Sequence, residues 1–194
     1  MSRFDNRSRV STYTQSWVSN ADPDFGAFES IATTTLTTST ATVTFSSIPA
    51  TYKHLQIRML GRTTASAISS NVQITFNSDT TAGNYTFHRL IGDGTSASSY
   101  GQSGLDYIIL FAGGNAASNI FGVGVLDIVD YANTNKFKTT KILTGLERNS
   151  GTEDFVMFRS QLWRDTSAIT SITFTPSSGN LAQYSSFALY GIKG

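Results

Sequence analysis

Cysteine is absent from the 194-residue chain, so no disulfide framework, thiol nucleophile or cysteine-based zinc site enters the reading. Charge is scarce too: Asp, Glu, Lys and Arg make up 14% of the residues and the net charge is +1, against about 25% charged residues in ordinary globular domains. A chain so close to neutrality gives no electrostatic reason to expect specific nucleic-acid binding. There are only two histidines, His54 and His88, and the spaced motifs of metal and nucleophile chemistry are missing: no H-E-x-x-H, no D-x-D-x-D-G loop, no G-x-S-x-G elbow. No catalytic residue, metal ligand or cofactor is therefore assigned. No run approaches the roughly 18 apolar residues of a membrane span. The start MSRFDNRSRV lacks the apolar core of a signal peptide, so synthesis in a cytoplasm with no membrane partner is expected. An internal repeat of 20 to 50 residues is also lacking, which disfavours propellers and solenoids.

What remains is 39% hydrophobic and 12% aromatic, with abundant Ser and Thr. That balance argues for a folded chain rather than a disordered one. Threonine suits strands through its β-branch, and an uncharged hydroxyl-rich surface can pack against other subunits without desolvating charge. From Phe28 onward the hydrophobic period is two. Leu55, Ile57 and Met59 alternate with Gln56 and Arg58, and Val72, Ile74 and Phe76 alternate with Asn71, Gln73 and Thr75, as half-buried strands do. Similar segments, from 29–36 to 185–192, bring the count to about eleven, with no helix. Strands without helices must bury their apolar faces against a second sheet. The expectation is an all-β protein: an antiparallel β-sandwich, jelly-roll-like, of ten or eleven strands over residues 28–194, with an up-and-down barrel as the alternative.

Residues 1–27 form a different unit. Arg3, Arg7 and Arg9, with Tyr13 and Trp17, are scattered at no helical or strand period. The segment cannot build a core alone, yet it can lie across a neighbouring subunit and bury its aromatic rings there, so it reads as a partner-binding N-terminal arm.

Three kinds of candidate site occur in the body. Asp93 lies in the Gly-rich stretch IGDGTSASSYGQSG, which lacks the Lys-Ser/Thr of a phosphate loop and opens no helix, and so reads as a surface loop. Tyr100, Tyr107, Tyr131 and Trp163 stand in or beside loops rich in Asn, Asp and Gly, where a ring could stack on a sugar and amides could bond its hydroxyls. Core or interface packing is the competing use of these rings. Asp93, Tyr100 and Tyr131 are kept as candidate ligand loops. The densest basic cluster is Lys136, Lys138 and Lys141, with Lys136 and Lys138 placed by alternation on one face to meet an acidic neighbour or to guard an exposed strand. His88, between Phe87 and Arg89 on a strand, is expected to be a hydrogen-bonded structural residue.

Three segments resemble one family. Phe76, Asn77 and Asp79, then Asn84, Tyr85 and His88, then Gly92 and Gly94 fit an F-N-x-D loop, an N-Y-x-x-H strand and a G-x-G loop. The run FSSIPATYKHLQIRMLGR is similar to an S-I-P-x-x-Y-x-H-L-x-I-R signature, and the chain closes on L-Y-G-I. Together they resemble structural proteins of tailed-bacteriophage virions over residues 28–194. The family has no catalytic residue set to carry over. The resemblance implies a non-enzymatic virion protein made in the host cytoplasm, working by burial against other virion proteins and against its own copies, with a trimer expected. A capsid decoration or cement role, or another head-attached one, is preferred because the chain has an arm before a single body and no coiled-coil or collagen-like shaft. The alternative is a tail or tail-fibre component whose loops bind a host-surface glycan. A polysaccharide hydrolase would need two carboxylates converging in a groove.

Overall fold

The computed structural model describes residues 27–104, 107–148 and 154–194, with the backbone alone for Tyr107 and Ile108. The arm residues Arg3, Arg7, Arg9, Tyr13 and Trp17 lie outside the described residues. Twelve strands are described: β1 (Phe28–Thr35), β2 (Val43–Phe45), β3 (His54–Gly61), β4 (Ser69–Phe76), β5 (Tyr85–Gly92), β6 (Ala97–Ser103), β7 (Tyr107–Ala112), β8 (Gly122–Val129), β9 (Lys138–Leu146), β10 (Phe155–Trp163), β11 (Ile172–Pro176) and β12 (Ser186–Ile192). Among the described residues the one helical element is a 3-10 turn, Ala82–Asn84. Every strand pair is antiparallel. An eight-stranded sheet runs β1-β12-β3-β8-β9-β10-β5-β6 and a four-stranded sheet runs β2-β11-β4-β7. The chain changes sheets at each step from β1 to β5, which gives the sandwich its jelly-roll-like course.

Period-two burial builds the core between the sheets. Leu55, Ile57, Leu126, Ile128, Ile142 and Leu189 of the large sheet face Val72, Ile74, Phe76, Ile109, Phe111 and Phe174 of the small one, all fully buried. Each such side chain contributes roughly 1.5–3 kcal/mol relative to exposure. The Phe111 ring rests on Gly61, where a β-carbon would collide with it.

The structure adds one strand to the eleven that periodicity gives. β6 is exposed along its whole length, so it is an edge strand with no buried face to imprint an apolar alternation on ASSYGQS. The strand expected over 168–175 begins only at Ile172, because 166–171 is held by contacts from other loops. The Ala168 carbonyl accepts from Asn77 (2.8 Å), and the Ile169 N–H donates to the Tyr131 carbonyl (3.0 Å).

Candidate interaction surface

The residues that carry the family resemblance form structural knots. At the end of β4, Asn77 accepts hydrogen bonds from the N–H groups of Thr170 (2.8 Å) and Ser171 (3.1 Å). Two residues on, Asp79 Oδ2 accepts from Trp163 Nε1 (2.7 Å) and Asn84 Nδ2 (2.8 Å), and Oδ1 accepts from the Thr81 N–H (2.9 Å). Burial alone would raise the Asp79 carboxyl, but the bonds from Trp163, Asn84 and Thr81 outweigh it and hold the pKa at about 2. Tyr85 closes the knot, its hydroxyl donating to the Asp79 carbonyl (3.0 Å) and accepting from the Phe76 N–H (3.3 Å). Burial pushes that phenol far above its usual range.

The second signature converges on Asp130. Lys53 pairs with it at 3.0 Å, Lys136 bonds its other oxygen, and its N–H donates to His54 Nδ1 (3.0 Å). Hydrogen bonds from Lys136 and Lys53 hold the Asp130 pKa at about 2. Tyr52 donates to Glu29 (2.8 Å) while its ring covers Gly191 of the closing L-Y-G-I. These segments fasten strand ends to loops.

Several expected sites are corrected by burial. Tyr131 is no ligand-loop residue: its ring is in the core and its hydroxyl donates to the Pro49 carbonyl. Trp163 is likewise buried against Phe76. Lys136 and Lys138 share no exposed face. Lys138 starts β9 pointing inward, fully buried, and its ammonium donates to the carbonyls of Asn133 (2.7 Å), Lys136 (3.0 Å) and Thr166 (3.0 Å). Burial lowers its pKa. Arg62 behaves similarly, its guanidinium reaching the carbonyls of Gly114, Ala116, Ala117 and Ile120 at 2.7–3.2 Å. Lys141 does face outward and pairs with Asp127 (3.2 Å). His88 is exposed and packs against Gly101 with no hydrogen bond among the described residues, because it stands on the outer face of an edge pair.

Asp93 and Tyr100 are at the surface. Asp93 sits in the β5–β6 turn, where its carboxylate is occupied by the N–H groups of Thr95 (2.9 Å) and Ser96 (2.7 Å). These local bonds lower its pKa. The turn borders an open depression of about 490 Å³ that also includes Glu147 and Asp154. Asp154 is committed to Arg148 (3.2 Å). Among the described residues no group of three His, Asp or Glu is placed to hold a metal ion. Tyr100 lies on strand β6 rather than in a loop, and its ring is 49% exposed. Arg89 stands over that ring at 5.4 Å and Phe87 beside it at 5.9 Å. Arg89 Nε and both amide atoms of the buried Gln161 have no hydrogen-bond partner among the described residues.

The described residues also form an apolar surface that the sequence reading does not anticipate. On the outer face of the eight-stranded sheet, Leu90 opposes Phe158, Phe158 opposes Leu143, and Leu143 opposes Val125. The next row runs Leu60, Val123, Gly145, Val156, Gly92 across β3, β8, β9, β10 and β5. Directly opposed residues are neighbours at about 4.5–5.5 Å, and five strands at ~4.8 Å make a strip about 20 Å wide. Leu60, Leu90, Val123, Leu143, Val156 and Phe158 are each 44–57% exposed. Together they present roughly 500 Å² of apolar surface, near the top of the range for the largest patch on a soluble monomer. The third row is polar but internally paired: Asp127 takes Lys141 (3.2 Å) and Gln56 (2.8 Å). The signal for this face was present in Phe155-Val156-Met157-Phe158, a stretch apolar on both strand faces, which marks two-sided burial.

No protein-family model matches the chain, and neither does any curated protein. Among solved structures, the CBM40 of a Ruminococcus gnavus IT-sialidase is similar at 10% identity and a TM-score of 0.35, over 85% of this chain and 95% of that one. The Caenorhabditis elegans galectin LEC-6 is similar at 8% identity and a TM-score of 0.32, over 86% of this chain and 99% of that one.

Proposed function

We propose that this protein is a non-enzymatic structural subunit of a tailed-phage virion, acting by burial of surface against neighbouring proteins, with a capsid decoration or cement role as the preferred position. The observation that carries the reading is the outer face of the large sheet. Leu60, Val123, Leu143, Val156, Phe158 and Leu90 form a continuous apolar strip exposed to solvent in the single chain. The polar row on one side of it holds the Lys141–Asp127 pair, and Arg58 at one end lies over the rings of Phe28 and Tyr190, so a protein partner can cover the apolar rows while the charges around them keep their own contacts. The three signature segments support the virion assignment, and the arm at residues 1–27, with its arginines and Trp17, supplies a second attachment. Partners on this reading are other virion proteins and further copies of the chain. Electron microscopy of particles bearing this protein tests it. Density of its size on the head is expected, and its absence from purified particles overturns the proposal.

A second reading, a tail or fibre module that binds a host-surface glycan, is favoured by Tyr100. A half-exposed ring, hydrogen-bonded at its hydroxyl to Gln102 and backed by Arg89, offers a stacking plane with the Gln102 amide at its edge. Glycan-array binding that disappears in Tyr100→Ala supports it. An array that stays blank removes it.

A further inference from the structure

We propose that the outer face of the eight-stranded sheet is a two-fold interface, in which the strip of one copy packs against the same strip of a second copy. The inference rests on the assembly reading above, adds the identity of the neighbour, and puts a two-chain contact in place of the trimer expected from the resemblance. Three observations point to a second copy rather than to a chemically different partner.

The first is self-complementarity. An isologous contact places one patch against itself, so it must carry no excess of either charge. The apolar rows meet that condition: they contain one charge, Arg58 at one end, whose guanidinium is held over the rings of Phe28 and Tyr190 at 5.5 and 5.4 Å. One adjoining row carries the balanced Lys141–Asp127 pair, and the opposite edge, beside Gly92 and Val156, borders Asp93 and Glu147, which a two-fold contact leaves at its solvated rim. The rows themselves hold no field for a partner selected by charge.

The second is relief. In the row Leu60–Val123–Gly145–Val156–Gly92 the two glycines leave depressions next to the projecting Phe158 and Leu143. Packed sheets interdigitate side chains at about 10 Å, and an alternation of knobs and hollows on one face lets a two-fold copy place its Phe158 into the hollow at Gly145. That hollow is not demanded by the fold. A β-carbon at Gly145 would meet only Val123 at 3.7 Å and the Phe155 carbonyl at 3.8 Å, ordinary contacts.

The third is area. Roughly 500 Å² of apolar surface per copy, with its polar rim, exceeds the ~1,000 Å² total that a specific interface needs. A strip of one copy alone would remain at the upper limit of what monomers leave exposed.

The test is sedimentation of the full chain across concentration, with two variants chosen to act oppositely if the contact is mere stickiness. A two-chain species is expected for the wild type. Phe158→Glu should weaken it at least ~30-fold. Gly145→Leu should weaken it at least ~10-fold although it adds apolar surface, because it fills the hollow. Thermal melts of both variants within a few degrees of wild type are expected, since both side chains point to solvent in the monomer. A wild type that stays monomeric to ~100 μM, a three-chain species, tighter association in Gly145→Leu, or loss of the dimer only in Trp17→Ala with Tyr13→Ala would each overturn the proposal. Incorporation into particles separates the two readings. A monomeric wild type whose incorporation is lost in Phe158→Glu refutes the two-fold contact and keeps the assembly reading, whereas a face-dependent dimer that never enters particles refutes the assembly reading alone.

Discussion

Replacing Asp79 by Asn tests whether the F-N-x-D loop is a structural knot. The carboxylate accepts three hydrogen bonds, from Trp163 Nε1, Asn84 Nδ2 and the Thr81 N–H, at 2.7–2.9 Å. Asparagine keeps one accepting oxygen and turns an amide NH₂ toward the remaining donors, so at least one of the three donors loses its partner and the charge assistance disappears. Bonds to a charged acceptor contribute about 1.5–3 kcal/mol, and an orphaned buried donor costs about 1–3 kcal/mol. A loss of roughly 2–4 kcal/mol is expected, which for a domain of this size lowers Tm by roughly 5–15 °C. The pH dependence supplies a second reading of the same contact. With the folded pKa held at about 2 against an ordinary value near 4, the stabilisation is complete above about pH 4 and is lost as pH falls toward 2. Circular-dichroism melts of wild type and Asp79→Asn should differ at pH 7 and converge across that window. A variant within 2 °C of wild type at pH 7, or a gap that stays constant down to pH 2, refutes the reasoning.

Ile57→Asp places an unpaired carboxylate at a fully buried position between the sheets and should cost several kcal/mol, enough to unfold much of a domain with about 5–15 kcal/mol in total, while Gln56→Ala on the opposite face changes stability by under about 1 kcal/mol; equal tolerance in urea titrations would mean that β3 is turned the other way. Lys138→Met keeps the side-chain volume but leaves the carbonyls of Asn133, Lys136 and Thr166 without their donor. A loss of about 2–4 kcal/mol is expected, and a change under 0.5 kcal/mol would show that this ammonium fixes nothing.

How much of this was legible depended on whether a residue's environment is made by its own strand. Leu55, Ile57, Val72 and Ile74 repeat at period two because each strand has one wet and one dry face, and the sandwich follows from that pattern. β6 left no trace, since a strand exposed on both faces selects for neither. Tyr131, Trp163 and Lys138 lie next to loop-like sequence, and what buries them comes from residues 49, 76 and 166, distant in the chain. The same distance hid the purpose of Asp79: the sequence shows a carboxylate in a polar loop, and its use appears only when the indole of Trp163, 84 residues away, is brought to it. The outer strip was visible only as excess. Strands β8, β9 and β10 carry apolar residues on the side that the second sheet does not cover, and no rule about a single chain says what such a side faces.

Arg62 and Lys138 give the molecule fastenings of an uncommon kind. Both cations are gripped by main-chain carbonyls of the 114–120 and 133–166 segments, and a carbonyl neither titrates nor exchanges its partner for a dissolved ion as a surface carboxylate does. Salt screens exposed charges beyond the Debye length, which shrinks from about 8–10 Å near physiological ionic strength to about 3 Å at 1 M, so the Lys53–Asp130 and Lys141–Asp127 pairs, at 3.0 and 3.2 Å, loosen in concentrated brine while these two loops keep their shape. The sandwich thus holds its loop anchorage independent of the ionic surroundings, leaving electrolyte to act on the exposed pairs beside the strip rather than on the scaffold beneath it.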